Sequence, residues 1–129
     1  MEAIIRRLQQ IKSCALAEYS NFHVGAILVT QNGEEFTGFN IESSSYSLTI
    51  CAERVALFKA LSEGYREFKE IYIMSDDNAP CPPCGACRQV LFDYAPDIEV
   101  IMVGASGTVR RAPLSDLLPY AFDKGRLIR

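Results

Sequence analysis

The sequence has no apolar run long enough to cross a membrane. Its first twenty residues carry Glu2, Arg6, Arg7 and Lys12 inside an apolar pattern, so they do not read as a signal peptide. A surplus of positive charge is also lacking. Thirteen Lys and Arg against sixteen Asp and Glu give a net charge of −3, which offers little to a nucleic acid. Basic residues gather only in short clusters, Arg6-Arg7, Arg110-Arg111 and Lys124 to Arg129, which read as solvated surface. The five cysteines are odd in number and three of them are clustered, which argues against a secreted disulfide framework. Thiols that must stay free suit a reducing compartment, so a cytoplasmic location is expected. Internal repeats and linkers are absent, and 129 residues with 49% hydrophobic content are enough for one domain spanning 1–129.

What is present reads as alternating helices and strands. Ile4, Leu8, Ile11 and Ala15 recur at helical spacing and predict an amphipathic helix over residues 2–18. Two β-branched runs, 24–30 and 34–40, flank Gln31-Asn32-Gly33, a hairpin signal. A Ser-rich loop then leads to a helix over about 51–63, stopped by Gly64. A buried-type strand follows at 71–75, then a loop of turn formers, a helix from near Cys84 to before Pro96, strands at 98–103 and 108–112, and a last helix over 114–122. Two hairpins and two helical crossovers predict an α/β fold in three layers (α/β/α): a mixed five-stranded sheet with helices on both faces.

The chemistry lies in Cys51-Ala52-Glu53 and Pro83-Cys84-Gly85-Ala86-Cys87. Three thiolates bind Zn²⁺ and leave a fourth position open to water, while a neighbouring carboxylate serves as acid and base. Cys84 and Cys87 lie one turn apart at a helix start, where free N–H groups and the helix dipole favour thiolates. Cys51 and Glu53 are two apart and do not face each other on a regular helix. Both reach one pocket only if the pocket caps the helix end, with Cys51 in the first, irregular turn. Arg54 is a candidate to offset the negative charge of three thiolates, and Gln89, taken as one turn after Cys87, to add a hydrogen bond outside the ligands. The residues alone leave open a closed structural site with Cys81 as fourth ligand, or an iron–sulfur cluster. The Cys51-Ala-Glu53 element favours the open three-cysteine site.

These segments resemble the small homotetrameric, zinc-dependent cytidine deaminases that act on free nucleosides. The resemblance runs from Tyr19 to Phe122 and includes Tyr19-Ser-Asn-Phe22-His-Val-Gly-Ala26, Gly38-Phe-Asn40-Ile-Glu42, Cys51-Ala-Glu-Arg54, Pro83-Cys-Gly-Ala-Cys-Arg-Gln89 and Leu117-Leu-Pro119. It implies the cytidine-deaminase-like fold, one Zn²⁺ per subunit on Cys51, Cys84 and Cys87, and Glu53 as the catalytic acid and base. Asn40 and Glu42 would hold the ribose hydroxyls, although the sequence alone reads them as a turn residue and a solvated charge. Phe22 would pack on the pyrimidine, whereas the sequence alone reads it as a core anchor next to the first strand. Ala52 and Tyr46 would border the substrate, and Phe122 would reach a neighbouring subunit's pocket in a homotetramer with shared active sites. Two positions depart from the family pattern: Pro82 stands where a serine is common, and His23 where other residue types are, so His23 is expected to be structural or exposed.

The implied reaction is hydrolytic deamination of cytidine and 2′-deoxycytidine to uridine and 2′-deoxyuridine with release of ammonia, in pyrimidine salvage. Deamination of a modified nucleoside such as blasticidin S is the nearest alternative. A polynucleotide substrate and a non-enzymatic zinc module stand further off.

Overall fold

A computed structural model describes residues 1–127. Arg129, which ends the third basic cluster, lies outside the described residues. The elements in chain order are α1 (Glu2–Ser13), β1 (Gly25–Thr30), β2 (Glu35–Phe39), α2 (Ala52–Ser62), β3 (Phe68–Met74), α3 (Gly85–Tyr94), β4 (Glu99–Val103), β5 (Val109–Pro113) and α4 (Leu114–Leu117).

The strands form one sheet in the order β2-β1-β3-β4-β5. Among the described strands, β3 and β4 pair in parallel and the other three pairings are antiparallel. Alternate residues of the central strands serve two cores. Ala26, Leu28, Ile71, Ile73, Val100 and Met102 face α2, α3 and α4, whereas Ile27, Met74, Ile101 and Val103 meet Leu8 of α1. Because both faces are covered, the stretches Ala26 to Val29, Ile71 to Met74 and Val100 to Val103 are apolar at every position rather than every second one. The sheet is mixed and five-stranded with helices on both faces, as expected from the pattern.

The topology places the site. Both β2 and β3 run antiparallel to β1, so they point the same way, and each is followed by a helix. Helices α2 and α3 therefore start at the same edge of the sheet, outside the carboxyl ends of their strands, where α/β folds place ligands. Gly38 of β2 brings α2 close. A Cβ there would stand 2.3 Å from the Ala52 carbonyl oxygen and 2.7 Å from the Ala56 nitrogen.

Two helices are shorter than the periodicity predicts. Helix α1 ends at Ser13 instead of residue 18, because the following segment is taken up by backbone pairing. Leu16 N–H donates to the Asn40 carbonyl at 2.9 Å, and Glu42 N–H to the Leu16 carbonyl at 2.9 Å. Helix α4 ends at Leu117 instead of about 122. Leu118 leaves helical geometry ahead of Pro119, and Tyr120 takes a left-handed φ of 54°.

Candidate active site

Cys51 and Cys84 are the residues immediately before α2 and α3, both with extended backbone. Their carbonyls accept the first helical hydrogen bonds, from Val55 and Arg88. Neither helix start is closed by a side-chain cap, which leaves first-turn N–H groups and the positive helix ends beside the sulfurs. With Cys51 ahead of the helix, its side chain and that of Glu53 serve one cavity despite their spacing. Cys87, in the first turn of α3, is fully buried behind them.

The sulfurs of Cys51, Cys84 and Cys87 all lie within 4.8 Å of one another. Cys51 and Cys84 are 3.8 Å apart. A tetrahedral zinc with Zn–S bonds of about 2.3 Å needs sulfurs about 3.8 Å apart, so the donor set fits that ion. Soft thiolates also favour zinc over hard cations. Cys81 is not in this cluster; its sulfur contacts the Pro82 carbonyl at 3.6 Å. The geometry thus supplies three ligands and an open side, and gives no support to a closed four-cysteine site. His23 is not a ligand either: its Nδ1 lies 2.8 Å from Asp76.

Charge is distributed unevenly over the cluster. Cys51 is pulled down to about 5 by the hydrogen bond it accepts from Cys87, against the opposing effect of burial, with further help from Arg54 and Cys84. Cys87 is pushed up, because it gives that hydrogen bond and is buried beside Glu53 and the other sulfurs. Arg54 Nη2 donates to the Cys51 sulfur at 3.4 Å, and this bond holds its guanidinium protonated. The Arg54 Nε is buried with no partner among the described residues. Glu53 is only 5% exposed. Burial, reinforced by the Cys51 charge, lifts its carboxyl to about 7 against its own backbone N–H, Cys87 and Arg54. A carboxyl near 7 can both take and give a proton at neutral pH.

Cys51, Cys84 and Glu53 line a cavity of about 290 Å³, close to the lower limit for small-molecule pockets. Asn40, Glu42, Phe22, Tyr46 and Ala52 all line it, as do Cys81 and Pro82. Asn40 and Glu42 face the same way because the chain between them is held extended. Ile41 exchanges backbone hydrogen bonds with Ile50 at 3.0 and 2.9 Å, while Leu16 holds residues 40 and 42 on the other side. The Ser20 hydroxyl bonds to Glu42 Oε2 and, ahead of the opposing effect of burial, holds that carboxyl below its usual range.

Two positions stand elsewhere. Gln89 does not support the sulfurs: its amide nitrogen donates to Asp93 at 3.1 Å and to the Phe122 carbonyl at 2.8 Å. It follows Cys87 by two residues, about 200° around the helix, and so faces away. Phe122 does not line this cavity; its exposed ring borders a separate depression with Gln89, Asp93 and Tyr94. Ser20, Thr49, Val24 and Ile73 are lining residues to which the sequence assigned no role. Ser20 lies inside the Tyr19–Phe22 segment, so its neighbourhood was marked although its contact with Glu42 was not.

An open three-sulfur cluster backed by a buried carboxylate is the site of a zinc-dependent hydrolytic enzyme. The chain belongs to the family described as the cytidine and deoxycytidylate deaminase zinc-binding region, whose model matches residues 1–105. It is 44% identical over 122 residues to a cytidine deaminase of Halalkalibacterium halodurans, covering 94% of this chain and 92% of the relative. The crystal structure of cytidine deaminase from Burkholderia pseudomallei superposes with a TM-score of 0.89 at 47% identity, over 94% of this chain and 98% of that one. A blasticidin-S deaminase of Bacillus cereus is 30% identical over 121 residues, 88% of this chain and 86% of the relative.

Proposed function

We infer that the chain deaminates cytidine and 2′-deoxycytidine by zinc-dependent hydrolysis. The observation that carries this reading is the placement of Glu53, buried and lifted to about 7, beside the sulfur cluster and in a cavity that Asn40 and Glu42 also line. Bound by Cys51, Cys84 and Cys87, zinc supplies a Lewis acid and an activated water at its open position. Glu53 takes a proton from the water that adds to C4 of the pyrimidine and delivers it to N3. It then passes the second proton of that water to the amino group, which leaves as ammonia, and the product is uridine or 2′-deoxyuridine. Phe22 packs on the ring, Ala52 and Tyr46 border it, and Asn40 and Glu42 take the ribose hydroxyls. An amide offers both donor and acceptor, and a carboxylate two acceptors. Arg54 offsets part of the thiolate charge.

Among the described residues, those lining the cavity include two carboxylates, Glu42 and Glu53, and no cation. That lining disfavours a phosphate and supports a free nucleoside over a nucleotide or polynucleotide. Greater identity to the cytidine deaminases of Halalkalibacterium halodurans and Burkholderia pseudomallei than to the blasticidin-S enzyme supports the unmodified base.

Further parts of the reading are that residues 1–129 form one catalytic domain, that it works in the cytoplasm in pyrimidine salvage, and that four copies share active sites through Phe122. No described helix is long and apolar enough to cross a membrane. Exposure of the Phe122, Tyr120 and Leu127 side chains supports a partner at that end of the chain. An ultraviolet assay run with cytidine, deoxycytidine, deoxycytidylate, blasticidin S and single-stranded DNA tests the substrate. Turnover of the two nucleosides is expected; turnover confined to blasticidin S, the nucleotide or DNA would overturn it.

A further inference from the structure

Three side chains hold the segment from Tyr19 to Val24, which carries Phe22. Glu42 Oε1 accepts from the N–H groups of Tyr19 and Ser20, each at 3.0 Å. Asn40 accepts from Val24 N–H at 2.9 Å and donates to the Phe22 carbonyl at 2.9 Å. The third is Asp76, just beyond β3. Its Oδ2 accepts the His23 N–H at 2.8 Å and lies 2.8 Å from His23 Nδ1. Its Oδ1 pairs with Lys12 Nζ of α1 at 2.6 Å. Asn40 and Glu42 line the cavity, whereas Asp76 does not.

The segment needs such restraints. Asn21 takes a φ of 57°, a left-handed turn immediately before Phe22, which asparagine tolerates better than most non-glycine residues but which neighbouring contacts still have to select. The direction of the Phe22 ring therefore depends on how the backbone is fixed on either side. Ser20 is fixed by Glu42, and His23 by Asp76.

We propose that Asp76 is a positioning residue for Phe22: by tying the His23 backbone to α1 and the end of β3, it sets where the aromatic ring stands in the cavity. The proposal rests on the reading that Phe22 packs on the pyrimidine. An exposed Lys–Asp pair contributes little by itself. Its effect here is to hold the carboxylate oxygen that accepts the His23 N–H. Asp76→Asn keeps an acceptor oxygen for that N–H and loses the charge, so it is the conservative variant.

Kinetics of the zinc-loaded enzyme test this in a double-mutant cycle. Asp76→Ala is expected to raise KM for cytidine about fivefold with kcat within about twofold, with zinc content unchanged and a smaller rise for Asp76→Asn. In a Phe22→Ala background the Asp76 substitutions should add nothing to KM. If Phe22→Ala raises KM but Asp76→Ala multiplies it by the same factor in both backgrounds, Asp76 does not act through Phe22 and the proposal fails. If Phe22→Ala leaves KM unchanged, the stacking reading fails and the proposal with it. Should Asp76→Ala not fold, Asp76→Asn and Lys12→Met in the same cycle give the same decision.

Discussion

The sulfurs of Cys51 and Cys84 stand 3.8 Å apart although 33 positions separate them in sequence. Each belongs to the residue just before a helix, and the two helices start together because β2 and β3 point the same way. The metal centre is thus a product of topology as much as of the cysteines. Removing zinc should loosen both helix starts. With excess chelator the melting temperature is expected to fall by about 10 °C or more, since a tightly held ion stabilises only the folded chain. An unchanged melting curve in the metal-free protein would contradict this.

Zinc uptake should release protons, because Cys87 is pushed up and keeps its proton in the metal-free cluster. Calorimetry in two buffers of different ionisation enthalpy measures the release, and affinity should weaken from pH 8 to pH 6. Identical binding heats in both buffers would count against the protonation pattern described.

Arg54 donates to the Cys51 sulfur and offsets thiolate charge. Arg54→Met is expected to weaken zinc retention or turnover by about 10- to 100-fold, the usual range for a residue that supports a metal ligand. Arg54→Lys should recover part of it. Competition with a chromogenic chelator and initial rates at saturating cytidine provide the readouts.

Asp76 titrates at about 2: burial would raise it, but Lys12 and both hydrogen bonds from His23 outweigh that effect. A folded-state value below the unfolded one gives stability that is fully present above about pH 4. It is lost as pH falls from about 4 towards 2. Asp76→Asn should therefore flatten the acid limb of the stability curve in that window while changing little of its shape near neutrality. Urea midpoints taken from pH 2 to pH 7 check this.

Gly38 lets α2 lie against β2, and an added methyl would meet the Ala52 carbonyl oxygen at 2.3 Å. Backbone cannot yield as a flexible side chain does. Gly38→Ala is expected to cost about 1–3 kcal/mol and to weaken zinc binding by moving Cys51. Denaturant melts and zinc stoichiometry would show both effects together. A stable variant with normal zinc would contradict the close packing.

The sheet and the grouping of the three cysteines were legible in the sequence because both depend on local pattern. Val24 to Val29 and Val100 to Val103 are apolar throughout, the mark of strands covered on both sides. Cys84 and Cys87 announce a shared face by their spacing. Long-range pairing was not legible. Helix α1 stops early because Leu16 bonds to residues 40 and 42, and nothing near Ala15 signals that competition. Asp76 lay hidden in a loop of turn formers, since its partners are 53 and 64 positions away. Gln89 was misplaced for a different reason: two residues along a helix reverse the face, which counting from Cys87 would have shown.

Glu53→Gln tests the central claim most directly, because it leaves the shape of the site and removes the proton acceptor. Zinc content and cytidine turnover should be measured on the same sample. The expected result is one zinc per chain with turnover reduced by about 10³-fold, within the range for loss of a general acid and base. Full turnover by zinc-loaded Glu53→Gln would contradict the account.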